Sequence, residues 1–226
     1  MMDFASPRLT VLVGNYGSGK TELSLNIALH LAQQGQQTAL VDLDIVNPYF
    51  RSGEKKAELE AAGIRVLMPS FAMTTVDVPA LPPEIQSVFD RPQEHVVFDV
   101  GGDDTGAAAL GRYAPAFARE EKRCLLVVNA MRPLTGTVED ILDLMHRIAL
   151  RSRMTIDGLV NNANLGRETD AACLITGHEL LKEVSKQSGV PYVMACAEKQ
   201  LIKELPEELQ AMTWPLTRLM EPEWMA

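Results

Sequence analysis

The stretch VLVGNYGSGKTEL, from Val11 to Leu23, constrains this chain more than any other. It carries the spacing G-x-x-x-x-G-K-[ST] at Gly14, Gly19, Lys20 and Thr21. A branched apolar run, Leu9–Val13, leads into it, and a helical pattern with Leu23, Ile27, Ala28 and Leu31 on one face leads out. Strand, glycine loop and helix in that order are the context in which this spacing has a mechanism. Glycines at 14, 17 and 19 let the backbone curl with its N–H groups inward, and the helix N-terminus adds its own donors, so the segment cradles an anion. The candidate binding segment is therefore Gly14, Asn15, Tyr16, Gly17, Ser18, Gly19, Lys20, Thr21 and Glu22. Lys20 would reach the β- and γ-phosphates of a nucleotide and serve catalysis, and the Thr21 hydroxyl would ligate Mg²⁺.

The remaining sequence repeats that alternation. Strand-length apolar runs lie at Thr38–Asp44, Ile64–Met68, His95–Val100, Cys124–Ala130, Asp157–Ala163 and Val190–Cys196. Helical patterns fall between them at Glu54–Ala62, Val138–Leu150 and Asp170–Gln187. Strands apolar on both faces and separated by helices predict an α/β fold, a mostly parallel sheet with helices on both faces. With the phosphate loop, this is the P-loop NTPase architecture, read here as one nucleotide-binding domain over residues 1–226. Pro69–Pro92 is the least regular stretch, with a short helix expected at Glu84–Phe89. It reads equally well as a surface excursion or as a lid or partner surface.

A phosphate loop needs acids for the metal. Asp99 ends the run HVVFDV, which puts its carboxylate at the carboxyl edge of the sheet beside the loop. Gly101 and Gly102 follow at once, where a backbone N–H can approach a γ-phosphate and move when it leaves. Asp42 and Asp44 lie two apart in VDLDIVNPYFRS and share a side of an extended chain. Asp42 is assigned with Thr21 and Asp99 to the magnesium shell, and Asp44 to orienting an attacking water. A lone Asp after a strand is also a common helix cap.

The net charge is -9, from 21 basic and 30 acidic residues, which argues against nucleic acid as a partner. No leader is read at the N-terminus, and no apolar run approaches the ~20 residues that span a bilayer. Cys124, Cys173 and Cys196 are scattered and odd in number, so they read as reduced thiols of a cytoplasmic protein. His30, His95, His146 and His178 show no metal-ligand spacing. The tail MTWPLTRLMEPEWMA has one Arg, two Glu and two prolines, unlike a basic interfacial helix, so membrane binding is not expected. Trp214 and Trp224 are expected to pack on the domain.

Together, GNYGSGKT, VDLDIVNPYF, HVVFDVGG and DGLVNNANLG resemble the CobQ/CobB/MinD/ParA nucleotide-binding domains over nearly the whole chain. The resemblance implies that Asp44 positions water in the members that hydrolyse ATP. It also implies that an asparagine ending the late strand recognises adenine, with Asn162 the better match by register and Asn161 the second. The chain has no NKxD, the usual guanine-reading tetrapeptide. VVNAMRPLTGTVEDI resembles the segment after the second switch, with Thr137 as a helix cap three residues before Asp140. One departure stands out. MinD- and ParA-like members carry a lysine just after the first loop glycine, which reaches the partner's phosphates in a dimer. Here that position is Asn15, which cannot neutralise phosphate charge. Arg51 is a candidate substitute cation, or simply a surface arginine.

The expected function is a Mg²⁺-dependent, slow ATPase, with ATP and Mg²⁺ as its ligands. It would act as a nucleotide switch, as a homodimer with a protein partner. The alternatives are a small-molecule ligase or kinase of the dethiobiotin synthetase type, and a non-hydrolysing ATP-binding module.

Overall fold

In a computed structural model of the protein, the described residues are 2–44, 56–68, 83–102 and 104–220. Among these residues eight strands form one sheet: β1 Leu9–Val13, β2 Thr38–Leu43, β3 Ile64–Leu67, β4 His95–Val100, β5 Lys122–Val128, β6 Gly158–Asn161, β7 Tyr192–Glu198 and β8 Thr213–Leu216. Their order is β3-β2-β4-β1-β5-β6-β7-β8 and every neighbouring pair is parallel. The helices are α1 Lys20–Gln33, α2 Lys56–Ala61, α3 Asp104–Gly111, α4 Ala114–Phe117, α5 Val138–Ser152, α6 Ala171–Ser188, α7 Lys199–Ile202 and α8 Glu207–Met212. Residues 69–82, with most of the irregular proline-rich stretch, lie outside the described residues, as do Arg51 and Trp224. Glu84–Phe89 takes the form of a 3₁₀ turn, Pro83–Val88.

Strand alternation divides the core into two layers. Leu9, Val11 and Val13 of β1 and Val96, Phe98 and Val100 of β4 pack with Ile141, Leu144 and Ile148 of α5. Leu12, Leu40 and Val97 face the other way, against Leu23, Ile27 and Leu31 of α1. The side that carries α1 is therefore also the side toward which Asp42 and Asp99 point, because each lies two residues beyond Leu40 or Val97. Thr137 caps α5 as expected: its Oγ1 accepts from Asp140 N at 3.2 Å and donates to Asp140 Oδ2 at 2.7 Å.

The tail supplies an element that the sequence pattern does not announce. β8 adds to the edge of the sheet beside β7 even though it contains Pro215. An edge strand tolerates proline because one side of its ladder is unpaired. Burial of Trp214, 4% exposed, against Phe4 and His30 holds it there. No helix among the described residues is long and apolar enough to cross a membrane.

Candidate functional site

Three parallel strands, β2, β4 and β1, end side by side, and the glycine loop rises from the last of them. Asp42 and Asp99 are register partners on β2 and β4 and are 0% and 2% exposed. The Thr21 hydroxyl, in the first turn of α1, acts on the Asp99 carboxylate from across the strand ends. Burial pushes the Asp99 carboxyl up to about 6; Thr21 and the Lys20 ammonium pull it down, and the Asp44 carboxylate pushes it up. A desolvated carboxylate near a hydroxyl, with a second buried carboxylate alongside, is a donor set that fits a hard divalent cation. Among the described residues no three or more His, Cys, Asp or Glu are grouped to enclose a metal. Magnesium at a phosphate loop needs no such cage, since phosphate oxygens and waters complete its shell.

The loop itself is wound through left-handed glycines, with φ of 147° at Gly14, 73° at Gly17 and 82° at Gly19. Lys20 curls back over it. Its Nζ donates to Asn15 O at 2.9 Å and lies 3.4 Å from Ser18 Oγ, and the residue is only 7% exposed. The Asn15 side chain folds onto the next residue, its Oδ1 accepting from Tyr16 N at 2.9 Å. Tyr16 points outward and is 61% exposed. Neither residue presents a charge at the position where the MinD-like lysine would stand.

Gly102 shows why a glycine follows Asp99. A Cβ there would lie 2.5 Å from Tyr16 N and 3.0 Å from Asn15 C. The backbone after β4 thus rests directly on the phosphate loop. Asp44 meets the same segment, with its Oδ1 3.2 Å from where a Gly101 Cβ would stand. Asp44 is anchored through its backbone, its N–H donating to Asp42 Oδ1 at 2.8 Å.

From the other side the loop is held by amides. Asn162 Nδ2 donates to Ser18 O at 2.7 Å, and a Cβ on Gly19 would lie 2.3 Å from that nitrogen, so only glycine fits under it. Asn129, at the end of β5, is missing from the expected set. Its Nδ2 donates to Gly17 O at 3.3 Å and Asn164 O at 3.0 Å, and its Oδ1 accepts from Met131 N and Asn164 N. It ties the loops after β5 and β6 to the phosphate loop. The signal was present: an asparagine ends the apolar run CLLVVNA as Asn162 ends DGLVNN.

Two expected binding residues have their side chains engaged elsewhere. Asn161 is fully buried, donating to Leu174 O at 2.9 Å and accepting from Ala163 N at 3.1 Å, so its amide serves α6. The Glu22 carboxylate accepts from Leu219 N and Met220 N and clamps the tail to α1. Asn26 helps, exchanging two 2.8 Å bonds with Thr217. The clamped tail forms one wall of a cavity of about 790 Å³. Gly17, Gly19 and Asn162 form another wall, and the loops after β6 and β7 close it with Arg167 and Glu198. That volume lies in the ~300–1,000 Å³ range of small-molecule sites. A smaller cavity of about 360 Å³ lies beside Gly14, Asn15, Gly101 and Gly102, against Leu134, Leu144 and Arg147.

Comparison with known proteins agrees with this geometry. The CobQ/CobB/MinD/ParA nucleotide binding domain description matches residues 9–196. Comparison with curated proteins finds no match. Among solved structures, the cell division protein FtsY of Thermotoga maritima is similar with a TM-score of 0.54 at 16% identity, over 84% of this chain and 62% of that one. Chloroplast FtsY from Physcomitrella patens gives 0.56 at 14% identity, over 83% and 57%. The signal recognition particle 54 kDa protein of Aeropyrum pernix, in complex with GDP, gives 0.51 at 16% identity, over 83% and 40%. The chain thus spans less than two thirds of the length of these structures, and at such identities the likeness is one of fold.

Proposed function

Because the chain belongs to the CobQ/CobB/MinD/ParA nucleotide-binding domain family, we propose that it is a Mg²⁺-dependent ATP-binding protein that hydrolyses ATP slowly and works as a nucleotide switch. The observation that carries this reading is the seating of Gly102 on the Asn15–Tyr16 backbone, with Asp44 against Gly101. A γ-phosphate arriving at the loop meets both glycines and the acid at one point. Interfaces packed this closely shift between discrete arrangements rather than deforming by degrees. The homodimer and protein partner belong to the same proposal, by analogy with the MinD- and ParA-like members.

Each side chain then has a task. Lys20 would leave its Asn15 and Ser18 partners for the β- and γ-oxygens. Thr21 would ligate the metal, with Asp99 and Asp42 holding its waters. A divalent cation there supplies charge neutralisation on the phosphate oxygens. Asp44 would accept a hydrogen bond from the attacking water and orient it.

Amide hydrogen exchange of residues 100–111 tests the switch. Protection is expected to differ between ATP-bound, ADP-bound and ligand-free protein. Identical protection in the two nucleotide states would overturn it.

The base should be adenine. Asn162 Nδ2 is committed to Ser18 O, which leaves Oδ1 as an acceptor at the cavity wall. That oxygen suits the adenine amine and repels the guanine carbonyl. We expect ATP to outcompete GTP by about tenfold, the scale of one mismatched polar contact. Equal or tighter GTP binding would assign the base reading elsewhere.

The ligase reading would place an acceptor acid in the smaller cavity. Its walls are mostly aliphatic, and its one cation among the described residues, Arg147, is already paired with Asp143 at 2.8 Å. That lining favours the switch over a carboxylate-binding enzyme.

A further inference from the structure

Arg132 lies between β5 and the 3₁₀ turn Pro133–Thr135, inside the segment VVNAMRPLTGTVEDI but with no role read for it from the sequence. A Cβ on Gly17 would stand 3.0 Å from its Nε and 3.3 Å from its Cζ. The guanidinium therefore rests on the phosphate loop, and it borders the larger cavity with Gly17, Gly19 and Asn162. Its backbone is fixed from behind: Arg132 N donates to Asn129 O at 3.1 Å, and Thr135 N donates to Arg132 O at 3.1 Å. Asn129 also holds Gly17 O. One buried residue, through its backbone carbonyl and its side-chain amide, thus sets the distance between Arg132 and the loop.

The charge around the loop calls for such a residue. Asp42, Asp44 and Asp99 surround it, and Lys20 is the cation within it. A bound polyphosphate adds more negative charge. Asn15 contributes none, its side chain being bonded to Tyr16 N. Resting an arginine fork on a glycine that carries no side chain puts its N–H donors within reach of non-bridging phosphate oxygens, with the bidentate geometry that phosphate favours.

We propose that Arg132 is a phosphate-binding cation, supplied by the same chain, that contacts the β-phosphate end of the nucleotide held by this loop. The inference rests on the nucleotide site proposed above. Parent, Arg132→Lys and Arg132→Gln would be compared for Mg-ADP and AMP by displacement of a fluorescent ADP analogue. Arg132 is exposed, so the melting temperatures of the ligand-free proteins should coincide. Arg132→Gln should weaken ADP about tenfold, the scale of one charge-assisted hydrogen bond. AMP binding should be unchanged, and Arg132→Lys should fall between parent and Arg132→Gln.

If the parent binds no ADP, the nucleotide-site reading itself fails and takes this inference with it. If the parent binds ADP and Arg132→Gln binds it equally well, the site stands and the role of Arg132 is overturned. Equal losses for ADP and AMP would also overturn it, because they would mean that Arg132 shapes the loop or meets the base.

Discussion

Lys20→Ala should bind ATP at least about 100-fold more weakly than the parent, since it removes a buried point charge worth several kcal/mol on the phosphate oxygens. The structure gives this prediction its force. Lys20 is 7% exposed and poised over the loop by Asn15 O and Ser18 Oγ, so its ammonium is already confined where the phosphates would lie. Little further side-chain entropy would be lost on binding. Its removal also takes from Asp99 a cation that holds its carboxyl down. Asp99 would answer by keeping a proton more tightly rather than by unfolding the sheet, so the ligand-free fold should survive. Calorimetric titration with Mg-ATP checks the expectation, and an affinity within about threefold of the parent would exclude Lys20 from the phosphate site.

Asp44→Ala should separate rate from affinity. Turnover is expected to fall by about 10²–10⁴, the range for losing a positioned general base or water-orienting group. ATP affinity should stay within about threefold or tighten slightly, because a group that acts in the transition state contributes little to the ground state. The direction follows from the electrostatics. Asp44 raises the Asp99 carboxyl, so its loss makes Asp99 a better carboxylate for the metal. The turn after β2 should persist, since it is the backbone N–H of residue 44 that donates to Asp42 Oδ1. Asp99→Ala, by contrast, should lower both affinity and rate, because Asp99 supports the metal in the ground state too. Single-turnover hydrolysis beside equilibrium titration distinguishes the two variants. An Asp44→Ala protein that hydrolyses ATP at the parental rate would reduce Asp44 to a structural residue and remove the chemical basis of the switch.

The phosphate loop could be read directly because its chemistry is local. Gly14 through Thr21 are contiguous, so their glycines, lysine and threonine come to one place without help from distant residues. The sheet was legible for a similar reason. Strands buried on both faces are apolar throughout, and a run such as Leu9–Val13 cannot be hidden any other way. Asp99 was legible because an acid ending such a run must emerge at the sheet edge. β8 was not, because Trp214 and Pro215 speak against a strand until an open sheet edge and the Phe4 and His30 rings are there to receive them.

Sequence alone specified the glycine loop, its lysine and threonine, and the acids at the neighbouring strand ends. The tertiary structure decided which distant residues complete it. Strand β5 lies next to β1 only because of the order β4-β1-β5. That adjacency brings Asn129 and Arg132 to Gly17 across more than a hundred residues, a juxtaposition no local pattern encodes. It also chose between Asn161 and Asn162, neighbours in sequence whose amides go opposite ways, one to α6 and one to Ser18. On a pleated strand one step of register exchanges the two faces, so only packing on both sides of β6 fixes which amide meets the phosphate loop.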